Sequence, residues 1–254
     1  MPSVGRKGHH HHEMKIPGSA WSNVTRVAVA VAVVVAAAVT PASALAHPFD
    51  DLPAGHWMEV ANNTIRDLDP CPGGRCSYSA DQGVVAVTRA WNGGAFASGF
   101  GELGGLVVFG GGHNAYFGNE LYVFDVASMQ WSRHSEPVDN PVCDQALGEL
   151  QDGSPCSAHT YDYVEYHPVT NSFVELGSAS NHEVGGGGAP WVHLFSFDDD
   201  QWRRGGSNLD GFESHTGASS AYDPNRDVFW VIPAYFQNRL QYDPVRDAWA
   251  TYSP

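Results

Sequence analysis

Histidine and asparagine side chains recur at three points of this 254-residue chain, in settings where they could do chemistry. The candidate ligand-binding residues are His113, Asn114, Tyr116, His159, Asn181, His182 and His215. Imidazole groups can bind a metal ion or transfer protons near neutral pH. Amide and imidazole groups beside an aromatic ring also suit a sugar, which needs planar hydrogen-bonding partners and an apolar platform. The nearest carboxylates in sequence are Glu120 and Glu183, and Tyr235 is a further aromatic candidate.

No linear motif assigns a reaction to these residues. The sequence contains no nucleophile elbow, no phosphate-binding loop and no HExxH helix. Any site must therefore be assembled by the fold from residues that lie far apart in the chain.

The elements that would assemble it are repeated. A short hydrophobic stretch with a tryptophan occurs four times, at Trp57, Trp131, Trp202 and Trp249. The intervals are 74, 71 and 47 residues, and the shortest is the usual length of one four-stranded propeller blade. The longer intervals predict blades with inserted loops.

Period-2 runs bounded by turn residues predict four strands in each repeat. In the last repeat they are residues 216–222, 228–234, 238–242 and 248–252, with two Asp-Pro turns. The middle repeat has strands at 160–166, 172–176, 191–197 and around Trp202, and the first repeat has them at 84–90, 105–109, 119–124 and 130–133. The predicted fold is all-β, with blades at about 61–133, 134–204 and 205–254. An ordinary β-sandwich is the alternative.

One segment carries a family resemblance. Leu106-Val-Val-Phe-Gly-Gly-Gly-His113, followed by Gly118-Asn119-Glu120-Leu121-Tyr122-Val-Phe-Asp125 and Trp131, resembles a kelch repeat. Over about residues 57–254 the chain is similar to secreted bacterial kelch proteins related to the galactose oxidase propeller, most clearly at 105–133. Gly177-Ser178 and Ile232-Pro233 stand where the double glycine is expected in the other repeats. The resemblance implies a kelch-type β-propeller.

Propeller topology would bring the candidate residues together. The start of each inner strand and the connection between the second and third strands lie on one face near the axis. His113, Asn114, His159, Asn181, His182 and His215 all fall at such places. His159-Thr160 and His215-Thr216 are equivalent in two repeats, so the alternative is a structural role in bonding a neighbouring blade.

The amino terminus resembles an export signal. Residues 27–39 are only alanine and valine, and Ala44-Leu45-Ala46 is a small-residue cleavage sequence. We expect residues 1–46 to be a leader that includes the histidine run at 9–12, with cleavage after Ala46. The apolar stretch is too short to span a bilayer comfortably. We therefore expect the protein to be secreted or periplasmic.

All four cysteines lie after the predicted cleavage point. Cys71 and Cys76 enclose a Pro-Gly-Gly turn, and Cys143 and Cys156 close a longer polar loop. In an oxidising compartment these two pairs predict disulfides. A zinc site is the alternative, although no second ligand pair follows Cys76.

The charge of the mature chain is strongly negative. Removing the leader leaves nine arginines, no lysine and 27 acidic residues, a net charge of −18. Such a surface repels nucleic acid and anionic membranes, so we expect neither as a partner.

We expect this chain to be a secreted kelch-repeat propeller that acts as a binding or scaffolding module, with a carbohydrate or protein ligand on its loop face. The alternative is an enzyme that uses the histidine-rich face, either an oxidase related to galactose oxidase or a lyase. The resemblance implies that such an oxidase needs a tyrosine linked to a cysteine, and paired cysteines would leave none. No cofactor is assigned, and no metal site is predicted.

Three blades are fewer than the four to eight that usually close a ring. Residues 55–60, around Trp57, precede any complete blade and are predicted to be an amino-terminal closing strand. The propeller therefore looks incomplete. We expect the missing blades to come from a longer chain or, alternatively, from a second subunit.

Overall fold

The computed structural model describes residues 49–111, 115–144, 146–177, 191–207, 219–233 and 238–253. Two compact units divide the chain, Met1–Leu45 and Ala46–Pro254, and all described residues belong to the second. They form twelve β-strands and two short 3-10 helices, η1 (Ile65–Leu68) and η2 (Gly83–Thr88). The all-β expectation is confirmed. The predicted leader and its cleavage site lie outside the described residues.

The strands form three four-stranded antiparallel sheets, each following chain order. Sheet 1 contains β1 (Gly94–Ala97), β2 (Gly105–Val108), β3 (Tyr122–Asp125) and β4 (Gln130–Arg133). Sheet 2 contains β5 (Val164–His167), β6 (Ser172–Glu175), β7 (Trp191–Ser196) and β8 (Gln201–Ser207). Sheet 3 contains β9 (Ser219–Asp223), β10 (Val228–Ile232), β11 (Arg239–Asp243) and β12 (Ala248–Tyr252).

Five hairpins share one turn geometry. The residue just before the second strand has a left-handed backbone in each: Met129 (φ 54°), Asn171 (φ 46°), Asp200 (φ 53°), Asp227 (φ 57°) and Asp247 (φ 53°). Asn and Asp tolerate this conformation because their short polar side chains bond locally. The Asp- and Asn-rich turns therefore set the strand boundaries of sheets 2 and 3 close to where the sequence predicts them.

Apolar layers separate the three sheets. Sheets 1 and 2 enclose a cluster that includes Val107, Leu121, Val123, Phe173 and Phe195. Sheets 2 and 3 enclose Tyr163, Val174, Leu194, Phe229, Val231 and Tyr242. The first strands of the sheets lie side by side, since β5 contacts both β1 and β9. Burial of these large side chains is the main stabilising term, at about 1.5–3 kcal/mol each.

The outer face of sheet 1 is partly covered by the preceding chain, residues 61–90, which we call the cover segment. Ile65, Tyr78 and Val84 pack there against sheet 1 residues Tyr122 and Trp131. On the same face, Phe96 of β1 and Leu106 of β2 stay exposed, at 55% and 40%.

Two strand predictions at the amino-terminal end are wrong. Residues 84–90 contain helix η2 instead of the inner strand, which is β1 at Gly94–Ala97. Val84 and Val87 are apolar because they pack on the face of sheet 1, and they do not join its ladder. Residues 55–60 form no strand, and Trp57 is 97% exposed.

A polar contact joins sheets 2 and 3 on the side of the first hairpins. His167 ends β5 with a fully buried side chain, and its Nε2 lies 2.8 Å from Asp227 Oδ1. Asp227 also accepts a 2.7 Å hydrogen bond from the Tyr222 hydroxyl. His167 Nδ1 lies 2.7 Å from Thr170 Oγ1, so both ring nitrogens have partners. We call His167, Asp227 and Tyr222 the inter-sheet lock.

Both predicted disulfides are present, Cys71–Cys76 and Cys143–Cys156. The first lies in the cover segment, and the second closes the loop between sheets 1 and 2. Within the described ranges, no helix is long and apolar enough to cross a bilayer.

Candidate functional site

Only two of the predicted ligand-binding residues, Tyr116 and His159, lie in the described part of the chain. The others, His113, Asn114, Asn181, His182 and His215, lie outside it, as do Glu183 and Tyr235. Their convergence on one face stays a prediction.

His159 precedes β5 and is only 2% exposed. The ring of Trp91 packs on its imidazole with 5.2 Å between centroids. On another side, the Tyr161 hydroxyl lies 3.3 Å from His159 Nδ1, and the two rings meet edge to face. The imidazole therefore contacts two aromatic side chains. We call His159, Trp91 and Tyr161 together the aromatic site.

Both aromatic residues of this site have a left-handed backbone, with φ of 51° at Trp91 and 41° at Tyr161. Such angles are genuine outliers for bulky side chains, and they cost of order 1–3 kcal/mol unless the surroundings enforce them. Here the Tyr161 N–H donates a 3.0 Å hydrogen bond to the Trp91 carbonyl. Strain of this kind is concentrated at ligand-binding and active sites.

The loop that carries Trp91 is tied down at several points. The Gly93 N–H donates to Thr160 Oγ1 at 2.9 Å, and the Thr160 N–H donates to Asn92 Oδ1 at 3.3 Å. The Asn92 amide also donates to the Ala86 carbonyl at 3.1 Å. Trp91 nevertheless keeps 59% of its surface exposed. The result is an exposed indole on a rigid, buried base.

The sequence indicated His159 but not its aromatic partners. Trp91 directly follows residues 84–90, which are predicted to be a strand. That prediction makes Trp91 part of a strand end and gives no reason to consider it a site residue. The signal was the order Trp91-Asn92-Gly93-Gly94, a bulky aromatic residue beside turn formers.

Tyr116 occupies a different environment. It is 1% exposed, and its hydroxyl donates a hydrogen bond to Glu120. The Tyr122 hydroxyl donates to the same carboxyl oxygen at 2.8 Å. Burial raises the pKa of Glu120, and the two tyrosine hydrogen bonds offset that only in part. Burial also raises the pKa of Tyr116.

A second buried polar group, missed by the sequence analysis, lies in sheet 2. His193 on β7 is 1% exposed, with Nδ1 3.3 Å from Glu175 Oε2 and Nε2 3.6 Å from Glu149 Oε1. Glu149 belongs to the disulfide-closed loop and accepts a 2.9 Å hydrogen bond from Arg204. Arg204 in turn lies 4.6 Å above the ring of Trp191.

That group holds a loop and lacks the geometry of an ion site. Glu175 and Glu149 lie at opposite nitrogens of one imidazole, so they cannot share an ion with it. The Trp191 indole N–H also donates to the Ala146 carbonyl at 3.2 Å. Across the described residues generally, no three His, Cys, Asp or Glu side chains are arranged to hold a metal ion.

No protein-family model matches this sequence, and no curated protein matches it. Among solved structures, the chain is similar to a fungal alcohol oxidase of the AA5 family in complex with copper, at 13% identity and a TM-score of 0.35. The similarity covers 65% of this chain and 43% of the oxidase, so the chain spans less than half of that protein's length. A likeness at this TM-score carries no argument about fold or activity.

Proposed function

We propose that this chain is a secreted kelch-type β-propeller module that binds a carbohydrate or protein ligand on its loop face. The observation that carries the proposal is the exposed Trp91 indole, held on the buried His159 ring by a strained and well-bonded backbone. A rigid aromatic surface binds at low entropic cost, because it is ordered before the ligand arrives.

The fold supports the propeller assignment. The support comes from three successive four-stranded antiparallel sheets whose first strands lie side by side, because each blade of a propeller is a four-stranded sheet. We place the blades within residues 61–133, 134–204 and 205–254, the first of them beginning its sheet at β1. The two disulfides support an oxidising compartment, in keeping with the predicted leader.

Replacing Trp91 tests the proposal. Trp91→Ala removes the aromatic surface and should weaken ligand binding by about tenfold, the equivalent of about 1.4 kcal/mol. The measurement is titration calorimetry with whichever members of a glycan array and a panel of secreted proteins the native protein binds. Trp57→Ala is the matched control, since Trp57 is 97% exposed and lies outside the aromatic site. Equal affinity of both variants and the native protein would contradict the proposal.

A histidine variant separates binding from catalysis. In a binding module, His159→Ala lowers affinity only. In an enzyme that uses this face, the folded variant loses turnover, which for an oxidase is followed as hydrogen peroxide released from the same sugars. All four cysteines form disulfides, so none remains for the tyrosine–cysteine link that the oxidase alternative requires.

A further inference from the structure

A small pocket lies between the cover segment and β4, the edge strand of sheet 1. It has a volume of about 310 Å³, at the lower end of the range for small-ligand sites. Every residue that lines it falls within residues 63–89 of the cover segment, except Trp131 on β4. The pocket is therefore formed within the first repeat. We call it the arginine pocket, after Arg66 and Arg89 in its lining.

Asn63 fixes one side of the arginine pocket. Its amide nitrogen donates a hydrogen bond to the Met129 carbonyl, and its Oδ1 accepts a 3.1 Å hydrogen bond from the Trp131 N–H. These are the bonds that a neighbouring strand would make with the outer edge of β4. Asn63 therefore joins the start of the cover segment to the edge of sheet 1 and holds the two walls of the pocket together.

The arginine pocket is positively charged in a strongly acidic molecule. Two of the described residues that line it are arginines, and none of them is acidic. Arg66 and Arg89 are exposed, and neither has an ion pair with any described residue. The described arginines that do pair with a carboxylate are Arg133, Arg204, Arg226 and Arg246. Two guanidinium groups without a carboxylate partner suit an anionic ligand, and a carboxylate matches their planar geometry.

The hydroxyl groups of the pocket can accept further hydrogen bonds. Asp67, the acid next to Arg66, accepts bonds from the Thr64 N–H at 2.9 Å and from Thr64 Oγ1 at 3.1 Å. Thr88 Oγ1 donates to the Val85 carbonyl at 3.3 Å. Both hydroxyl protons are thus used within the protein, while the oxygens of Thr64 and Thr88 keep acceptor capacity. They suit a ligand that carries hydroxyl donors.

Trp131 and Val85 supply an apolar wall. Both line the pocket, and both pack against the buried cluster of the cover segment. Phe124, the cross-strand neighbour of Trp131, packs on its ring with 5.4 Å between centroids. An indole held in this way offers a flat apolar surface to the C–H face of a sugar ring.

We propose that the arginine pocket is a second binding site, separate from the aromatic site, for a saccharide that carries a carboxylate, such as a uronic acid. Arg66 and Arg89 bind the carboxylate, the threonine oxygens accept bonds from sugar hydroxyls, and the Trp131 ring packs on the sugar ring. A volume of about 310 Å³ accommodates a monosaccharide or a disaccharide. An acidic peptide also carries a carboxylate, but it lacks the ring and the hydroxyl groups that match the rest of the pocket.

Titration calorimetry of the full secreted chain with the disaccharide of galacturonic acid tests the proposal. The native protein should bind it with a dissociation constant on the order of 0.1–1 mM. The methyl ester of the same disaccharide keeps the ring and its hydroxyl groups but carries no charge, so it should bind at least about tenfold more weakly. Arg66→Gln combined with Arg89→Gln should weaken binding of the acid by a similar factor.

Arg75→Gln combined with Arg239→Gln is the matched control, because it removes the same charge from exposed positions outside the pocket. This variant should bind the disaccharide like the native protein. Trp91→Ala should do so as well, which separates this site from the aromatic site.

Absence of binding up to about 10 mM, or equal affinity of the native protein for the acid and its ester, would overturn the proposal without any variant. Equal weakening by the two arginine pairs would overturn it too, because the effect would then come from net charge. Loss of binding in Trp91→Ala would assign the sugar to the aromatic site instead. Tighter binding of tetraglutamate than of the disaccharide would assign the pocket to an acidic peptide.

Discussion

At Glu120, burial and hydrogen bonding act on one carboxyl group in opposite directions. Burial raises its pKa above the ordinary 4.5. The hydrogen bonds from Tyr116 and Tyr122 favour the ionised form, but their effect on the pKa is smaller than that of burial. A group with a raised pKa in the folded state contributes stability that is complete below about 4.5. That contribution is lost as the pH rises through the folded-state pKa.

Glu120→Gln should therefore flatten the dependence of stability on pH. Glutamine keeps an acceptor for both tyrosines but cannot ionise, so the variant gains stability relative to the native protein as the pH rises above 4.5. The measurement is the free energy of unfolding in urea between pH 4 and 8. Glu102→Gln, at an exposed position near β2, is the control and should follow the native curve. Parallel curves for Glu120→Gln and the native protein would show that Glu120 is ionised in the folded state.

At the scale of strands and turns, the left-handed residue of the β9–β10 hairpin has a second role besides reversing the chain. Asp227 has this role in the β9–β10 turn and also accepts the bonds of the inter-sheet lock. Burial opposes its ionisation, but the bonds from Tyr222 and His167 prevail and hold the pKa of Asp227 below 3.8. The lock is thus complete above pH 3.8 and is lost as the pH falls through the lowered pKa.

Asp227→Ala should destabilise the protein by about 2–4 kcal/mol, because it leaves the buried His167 imidazole without its acceptor. Thermal and urea unfolding measure the loss. Asp200→Ala is matched to it, since Asp200 has the same backbone geometry (φ 53°) in the β7–β8 turn. Its side chain is 60% exposed and lies 3.3 Å from Nδ1 of His134, an imidazole that is itself partly exposed to water. The control should lose only about 1 kcal/mol. Equal losses would mean that turn geometry, and not the lock, accounts for the effect.

At the scale of the whole molecule, disulfides close two loops of different length. Cys143–Cys156 spans 13 positions and Cys71–Cys76 spans 5. A disulfide stabilises mainly by restricting the unfolded chain, and the restriction grows with loop length. The longer loop is also held by the Glu149–Arg204 ion pair, which removal of the disulfide leaves in place.

Replacing Cys143 and Cys156 together with alanine should lower the free energy of unfolding by about 3 kcal/mol. The same change at Cys71 and Cys76 should cost about 2 kcal/mol. Urea unfolding of both double variants, with the native protein carrying both disulfides as the common reference, gives the comparison. A larger loss from the shorter loop would show that native contacts around Cys71 outweigh the unfolded-chain effect.

The sequence by itself determined the features that depend on neighbouring residues. The strand boundaries of sheet 3 follow from alternation and from the turns that end at Asp227 and Asp247, because these turns fold through contacts within five residues. Both cysteine pairs were predictable for the same reason, since few residues separate the partners. At the amino-terminal end this reasoning failed, because the apolar pattern of residues 84–90 suits a helix packed on a sheet as well as a strand within it.

Only the tertiary structure decided which distant residues meet. Trp91 and Tyr161 are 70 positions apart, His193 and Glu149 are 44 apart, and His167 and Asp227 are 60 apart. No local pattern encodes such pairs, because each depends on the packing of one sheet against the next. The same packing makes Tyr116 a buried partner of Glu120, leaves Trp91 exposed, and places the cover segment on sheet 1.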